Sequence, residues 1–200
     1  MRIMSEPAIS LDDAGYQNLR AVADRLLETT RVEYVDEGVL LIMNPPGIEH
    51  RRIVRTIVDD AKRAFYTGAI AINWAADENY QWDLPDGAGR FYIPDIAFIH
   101  PDATTAEQER AAISLVVEVT SPTSPDTVLN DRTTKPVQYA KAGVPLYLLV
   151  DQELGRWTLF GLAEGWERYQ VAADGAYGEE ISLPAPLNFS LTSATWPRWK

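Results

Sequence analysis

The chain has no cysteine and only two histidines, His50 and His100, among its 200 residues. The absence of cysteine excludes a disulfide framework, a thiolate metal site and a cysteine nucleophile. Two histidines are too few for a typical structural zinc site.

Long apolar runs and internal repeats are also missing. No stretch approaches the roughly 20 apolar residues that span a bilayer, and the N-terminal segment turns acidic without the apolar core of a signal peptide. The absence of repeats excludes a solenoid. These features predict a cytoplasmic protein that does not bind membranes.

Basic residues are scarce, since 18 Lys plus Arg face 29 Asp plus Glu, a formal net charge of -11 at pH 7. Proteins that grip duplex nucleic acid usually carry a basic face, because phosphate neutralisation supplies most of the affinity. An acidic chain can still cut nucleic acid where metal ions offset the carboxylates and basic side chains lie nearby. The net charge therefore bears on the substrate and not on the fold.

Helical and strand patterns alternate along the chain and predict a single α/β or α+β domain over residues 1–200. The predicted helices cover 11–30, 49–65 and 136–142, with a short helix or loop at 105–112. A hairpin is predicted over 32–42, and the other predicted strands are 69–74, 79–82, 92–99, 115–120, 146–150, 157–162 and 166–171. The run 115–120 is apolar nearly throughout, as in a central strand that is covered on both faces. The tail is Pro-rich, and we expect it to be irregular.

Two acidic residues stand in otherwise apolar strands, Asp95 after Pro94 and Glu118 within the 115–120 run. A carboxylate in a buried strand is costly unless it is paired or binds a cation. If the two strands are neighbours, both carboxylates would point into one cleft, and such oxygen ligands suit Mg²⁺ or Mn²⁺ with waters completing the shell. The alternative is that each acid forms a salt bridge with an arginine or caps a strand end.

Lys135 follows the Glu118 strand and supplies a compact positive charge. It would stabilise a phosphorane-like transition state or orient an attacking water. The alternative for Lys135 is a solvated surface residue.

The segment 92–151 resembles the Uma-two family of restriction endonuclease-like proteins, a branch of the PD-(D/E)XK nuclease superfamily. The matching pieces are Pro94-Asp95, Glu118 to Pro122, Asp131-Arg132 with Lys135 and Tyr139, Ala142 to Pro145, and Tyr147 to Asp151. Upstream, Glu33 to Gly38 and Met43 to Pro46 before His50 also match, so the resemblance covers about residues 15–170. The resemblance rests on the order and spacing of these pieces together.

The resemblance implies a restriction-endonuclease-like fold, a mixed central β-sheet flanked by helices, often in a dimer. It implies that Asp95 and Glu118 are metal ligands and that Lys135 is catalytic, displaced from the signature position two residues after the acid, where this chain has Thr120. Glu33 matches an additional metal ligand of some members, and here we place it at a helix–strand junction. Tyr139 would contact the site or pack in the core, and His50 is expected to cap or pack.

The resulting hypothesis is a Mg²⁺- or Mn²⁺-dependent endonuclease that hydrolyses phosphodiester bonds of DNA and acts as a homodimer. The candidate dimer interface consists of Trp157, Trp166, Trp196 and Trp199, although core packing explains the first two equally well. A second hypothesis is a non-catalytic binding or regulatory module with a nuclease fold. A third is a metal-dependent hydrolase of small phosphorylated substrates, for which a closed pocket would be the sign. Arginines around the cleft, among them Arg51, Arg52, Arg55, Arg90 and Arg132, would favour nucleic acid.

Overall fold

The computed structural model describes residues 31–36, 39–43, 46–78, 80–83, 91–121 and 128–199. The chain separates into two compact units, Met1–Pro45 with Gln81–Ile93 and Pro46–Tyr80 with Pro94–Lys200. The predicted helix over 11–30 and Arg90 lie outside the described residues.

The helices and strands follow one another in a simple order along the chain. They are β1 (Arg31–Asp36), β2 (Val39–Met43), α1 (Ile48–Tyr66), β3 (Ala75–Asp77), β4 (Trp82–Asp83), β5 (Phe91–Tyr92), β6 (Ile96–Ile99), α2 (Ala106–Ala111), β7 (Ile113–Val119), α3 (Lys135–Lys141), β8 (Leu146–Asp151), β9 (Arg156–Gly161), β10 (Gln170–Ala176), β11 (Glu180–Ser182) and β12 (Ser190–Thr192).

The first unit contains a four-stranded sheet in the order β2-β1-β5-β4. Strands β1 and β2 pair antiparallel, with Glu33 opposite Leu41, which confirms the predicted hairpin. Strand β5 joins this sheet through the pairing of Tyr34 with Phe91.

The second unit contains a six-stranded sheet in the order β10-β9-β8-β7-β6-β3. Its central strands β7 and β8 are parallel, whereas the other neighbours are antiparallel. Parallel neighbours need a crossover connection, and α3 lies in the segment that joins β7 to β8. Strands β7 and β8 are buried along their whole length, as predicted for 115–120 and 146–150.

Helix α1 covers one face of this sheet. Its apolar residues recur at helical spacing, and Ile53 and Ile57 belong to the same buried core as Val117 on β7 and Leu148 on β8. Because strand side chains alternate, Glu118 lies on the opposite face, where it contacts Lys135 at the start of α3. The sheet is therefore flanked by helices on both faces, and the predicted α+β class with a mixed central sheet is confirmed.

Four strand predictions were wrong in place. The predicted strand 79–82 is not formed at Tyr80 and Gln81, and β4 begins only at Trp82. Residues 69–74 form no strand, because the N–H groups of Ala69 and Ile70 bond to the Ala64 carbonyl at the end of α1. The predicted strand 92–99 is divided around Pro94 into β5 and β6. The predicted strand 166–171 begins only at Gln170, because the Trp166 N–H bonds back to Ala163 in a turn.

The expectation of an irregular tail was also wrong. Strands β11 and β12 pair antiparallel, with Ile181 opposite Leu191. Both side chains are buried in the core, together with Phe189 and Trp196. The prolines Pro184 and Pro186 lie in the connection between the two strands, so they interrupt the sequence pattern without preventing the pairing.

In the part of the chain that the structure describes, no helix has both the length and the apolar character needed to cross a bilayer. That all 200 residues form one domain remains a prediction.

Candidate active site

Asp95 and Glu118 lie near each other at the ends of two neighbouring strands. Ile96 on β6 lies opposite Val117 on β7, and Asp95 directly precedes β6. The Asp95 carboxylate accepts the N–H of Val119, the residue that follows Glu118. The two strands are therefore neighbours, as the sequence argument required, and a cleft shared by the two carboxylates stays a prediction.

Asp95 directly precedes β6, and two hydrogen-bond donors contact one oxygen of its carboxylate. Its Oδ2 atom accepts the Val119 N–H at 2.8 Å and lies 2.9 Å from His50 Nε2. An ionised carboxylate only accepts hydrogen bonds, so Nε2 is the protonated nitrogen of His50 in this contact. His50 is the third residue of α1 and is buried, and its Nδ1 atom has no hydrogen-bond partner among the described residues. His50 therefore orients the Asp95 carboxylate, a role beyond the capping or packing expected of it.

Glu118 is held by two residues of α3. Its Oε1 atom accepts hydrogen bonds from Lys135 Nζ and from the Tyr139 hydroxyl, each at 2.9 Å. Lys135 Nζ also lies 3.0 Å from Asp131 Oδ1. The side chains of Lys135, Glu118 and Asp131 are only 1–2% exposed, so these charges interact away from bulk water.

The segment before α3 explains how three polar side chains reach one place. Asn130–Thr134 is a π-helical turn, in which the Lys135 N–H bonds to the Asn130 carbonyl five residues earlier. Asp131, Lys135 and Tyr139 are spaced four residues apart and so lie on one face of the helical segment. Lys135 stands at the start of α3, and its ammonium reaches Glu118. The alternative of a solvated surface lysine was wrong.

Thr120 occupies the position that the superfamily signature gives to lysine. Its Oγ1 atom accepts the Gln152 N–H at 3.0 Å, and its own N–H bonds to Val150. When the Gln152 amide is oriented to satisfy both of its contacts, it donates to the Thr120 carbonyl and accepts the His50 N–H at 3.2 Å. Thr120 therefore ties the end of β7 to the segment after β8 and to α1.

Tyr147 on β8 lies on the same face of the sheet as Glu118. Its hydroxyl donates to the Asp131 carbonyl at 2.7 Å. Complete burial, reinforced by the charges of Glu118 and Asp131, raises the pKa of Tyr147 well above its usual value. The phenol consequently stays protonated and keeps its donor role at any ordinary pH.

Glu33, the third predicted ligand, lies in the first unit. It is the third residue of β1 and not at a helix–strand junction, and its Oε1 atom accepts the Ile93 N–H at 2.9 Å. The structure thus brings Asp95, Glu118 and Lys135 together in the second unit, whereas Glu33 belongs to the other sheet.

Carboxylate oxygens are the candidate metal donors of this region. Within the described ranges there is no group of three or more His, Asp or Glu side chains that could hold an ion. Mg²⁺ usually keeps several waters and binds one or two protein carboxylates together with substrate phosphate, so the carboxylates of Asp95 and Glu118 are donors of the type that it takes.

Sequence reasoning undervalued two residues of this site, Asp131 and His50. Asp131 was noted only as part of a motif, although its spacing of four from Lys135 and eight from Tyr139 is a helical face. His50 was assigned to capping or packing, and no local pattern pairs it with Asp95, which is 45 residues away.

Comparison with known proteins gives a consistent result. The Uma2 family, described as "Putative restriction endonuclease", matches residues 19–194. A similar solved structure is described as "a putative nuclease belonging to DUF820" from Anabaena variabilis ATCC 29413. It is 16% identical, with a TM-score of 0.57, over 81% of this chain and 88% of that chain, and at this identity the likeness concerns the fold. No curated protein matches the chain.

Proposed function

The chain belongs to the Uma2 family, and we propose that it is a metal-dependent endonuclease that hydrolyses phosphodiester bonds of DNA. The observation that carries the proposal is the hydrogen bond of the Asp95 carboxylate to the N–H of Val119, next to Glu118, with Lys135 in direct contact with Glu118. Two carboxylates and a lysine at neighbouring strand ends are the groups that the family resemblance implies for phosphodiester hydrolysis.

Asp95 and Glu118 would hold Mg²⁺ or Mn²⁺, with Glu33 as a candidate additional ligand. The bound ion would polarise the scissile phosphate and lower the pKa of a water. His50 and the Val119 N–H fix the Asp95 carboxylate, while Tyr139 and Lys135 fix that of Glu118. Lys135 offsets negative charge as it develops on the phosphate, and its burial strengthens that interaction.

Nucleic acid as the substrate is supported by local basic residues in an acidic chain. Arg51, Arg52 and Arg55 are exposed on the first turns of α1, directly after His50. Arg132 also lies beside the site but is paired with Asp151 and Glu153. Binding that rests on a few arginines should weaken steeply as salt rises.

A non-catalytic binding or regulatory module is the second candidate. Thr120 stands where the signature has lysine and serves to tie strand ends together, which favours this alternative. A metal-dependent hydrolase of small phosphorylated substrates is the third candidate, and the groove of about 440 Å³ beside α3, lined by Arg132, Tyr169 and neighbouring residues, does not include Asp95 or Glu118.

The test combines metal-binding calorimetry with cleavage of plasmid DNA, single-stranded DNA and RNA. We expect the native chain to bind Mg²⁺ or Mn²⁺ and to cleave DNA, and the variant Asp95→Asn with Glu118→Gln to lose both. Asp60→Asn is the matched control, since Asp60 is a buried carboxylate that binds Arg63 and the Thr192 N–H instead. Metal-independent DNA binding without cleavage would support the non-catalytic module, and no metal binding at millimolar concentration would contradict the endonuclease.

The homodimer and the cytoplasmic location remain predictions. Trp166 precedes the edge strand β10, and Val171 lies on it. Both are exposed apolar residues that a second copy of the chain would cover. Trp157 and Trp196 are buried and so cannot serve this purpose. Sedimentation analysis at micromolar concentration would show whether the chain dimerises.

A further inference from the structure

We propose that Asp131 is a positioning residue that holds the Lys135 ammonium in place against Glu118. The inference rests on the proposed function, since it says how the lysine of that site is oriented. Its basis is the position of Lys135 Nζ, which lies 2.9 Å from Glu118 Oε1 and 3.0 Å from Asp131 Oδ1.

A lysine side chain has four rotatable carbon–carbon bonds and is usually solvated, so a single contact restrains it poorly. Here the ammonium is held between two carboxylates that come from different elements. Glu118 is on the central strand β7, and Asp131 is in the π-helical turn before α3. Contacts from two directions fix the ammonium more closely than one contact would.

Asp131 is itself fixed by the sheet. The Tyr147 hydroxyl on β8 donates to the Asp131 carbonyl at 2.7 Å, and Tyr147 is completely buried. A rigid β8 thus sets the backbone of the π-helical turn, and the turn sets the Asp131 carboxylate. π-Helical turns occur frequently at functional sites, where they redirect side chains.

The arrangement has a consequence for the site. If Glu118 holds a metal ion, its carboxylate is shared between that ion and Lys135. Asp131 then keeps the ammonium at the site whatever the partners of Glu118 are. Replacing a buried ion cluster by apolar residues of similar volume is often neutral or stabilising, so stability alone does not account for this cluster.

Lysine-selective nuclear magnetic resonance tests this directly, because the chain has only four lysines, Lys62, Lys135, Lys141 and Lys200. In the native protein we expect a slowly exchanging Lys135 ammonium signal, with a scalar coupling across its hydrogen bond to the Glu118 carboxyl carbon and a nuclear Overhauser contact to the Asp131 side chain. A rapidly exchanging Lys135 ammonium, or the absence of the contact to Asp131, would overturn the proposal, and this measurement needs no variant to fold.

The variant Asp131→Ala should speed exchange of the Lys135 ammonium protons at least tenfold, with Asp131→Asn intermediate. Asp151→Ala is the control, because Asp151 is a buried acid that pairs with the neighbouring Arg132, and it should leave the signal unchanged. Unchanged exchange in a folded Asp131→Ala variant would overturn the proposal.

Kinetics separate this inference from the proposed function. For a native chain that cleaves DNA, Asp131→Ala should lower kcat at least tenfold with little change in KM, since the residue touches lysine and not substrate. If Asp131→Ala speeds the exchange of the Lys135 ammonium protons but the native chain never cleaves DNA, the positioning role is supported and the endonuclease is refuted.

Discussion

The two faces of strand β7 are equally buried but chemically different. On one face, Leu115, Val117 and Val119 belong to the apolar core under α1. On the other face, Glu118 and Thr120 are as deeply buried, and both make hydrogen bonds instead of apolar contacts. Burial alone therefore does not distinguish the core of this protein from its candidate site.

The two faces also contribute differently to stability. Apolar burial stabilises by about 25 cal/mol per Å² of surface removed from water. A buried carboxylate and ammonium must first lose their hydration, and their attraction only offsets that loss when the geometry is good. The face of β7 that packs under α1, here called the α1 face, thus stabilises the fold. Burying the charged groups on the opposite face, here called the α3 face, costs stability, and the proposed chemistry of these groups would explain why they are there.

The largest expected effect comes from breaking the ion cluster on the α3 face. Lys135→Met leaves Glu118 and Asp131 without the ammonium, and we expect a loss of about 3–5 kcal/mol in the free energy of unfolding, measured in urea. Lys141→Met, at the exposed end of the same helix, should change it by no more than about 0.5 kcal/mol. Equal effects of the two substitutions would show that Lys135 is not held in a buried cluster.

A cavity on the α1 face should cost almost as much but leave the site intact. Leu115→Ala removes a fully buried side chain, so we expect a loss of about 3 kcal/mol. Mg²⁺ affinity measured by calorimetry, at a temperature where the variant is folded, should stay within twofold of the native value. A loss of metal affinity comparable to that of Glu118→Gln would remove the distinction between the faces.

A smaller effect is expected from the histidine that orients Asp95. His50→Ala removes the donor to Asp95 Oδ2, and groups that orient metal-binding carboxylates typically contribute 10- to 100-fold in metal affinity. That factor corresponds to about 1.4–2.7 kcal/mol. His100→Ala is the control, because His100 lies in a loop and contacts Asp102 instead. If both variants bind Mg²⁺ as the native chain does, His50 is only a packing residue.

On the α3 face, the residues that stand out in a local sequence pattern were predicted, and those that depend on remote contacts were not. Acids in apolar strands stand out because their burial is costly, so Asp95 and Glu118 were found, and the family resemblance added Lys135. The π-helical turn that directs Lys135 inward was not predicted, because it depends on one extra residue per turn and has no strong residue preference. His50 was undervalued because its partner is remote in sequence.

On the α1 face, apolar periodicity predicted α1, β7 and β8 closely. It failed where tertiary contacts decide, as at 69–74, whose backbone N–H groups are captured by the end of α1. It also failed for β11 and β12, where strands of three residues are too short for alternation to be recognised.

The smallest expected effect concerns Tyr147, which shares the polar face with Glu118. Burial and the nearby carboxylates raise its pKa in the folded state, so folding favours the protonated phenol. This contribution is fully present below the unfolded pKa of about 10 and is lost above it, by roughly 1 kcal/mol per pH unit. Tyr147→Phe lacks the ionising group. The stability of the native chain relative to this variant, measured in urea, should therefore fall by roughly 1 kcal/mol between pH 10 and 11. The matched variant Tyr66→Phe, at a site 79% exposed, should show no such trend. A difference for Tyr147→Phe that is constant with pH would mean that its phenol ionises as readily in the folded protein as in the unfolded chain.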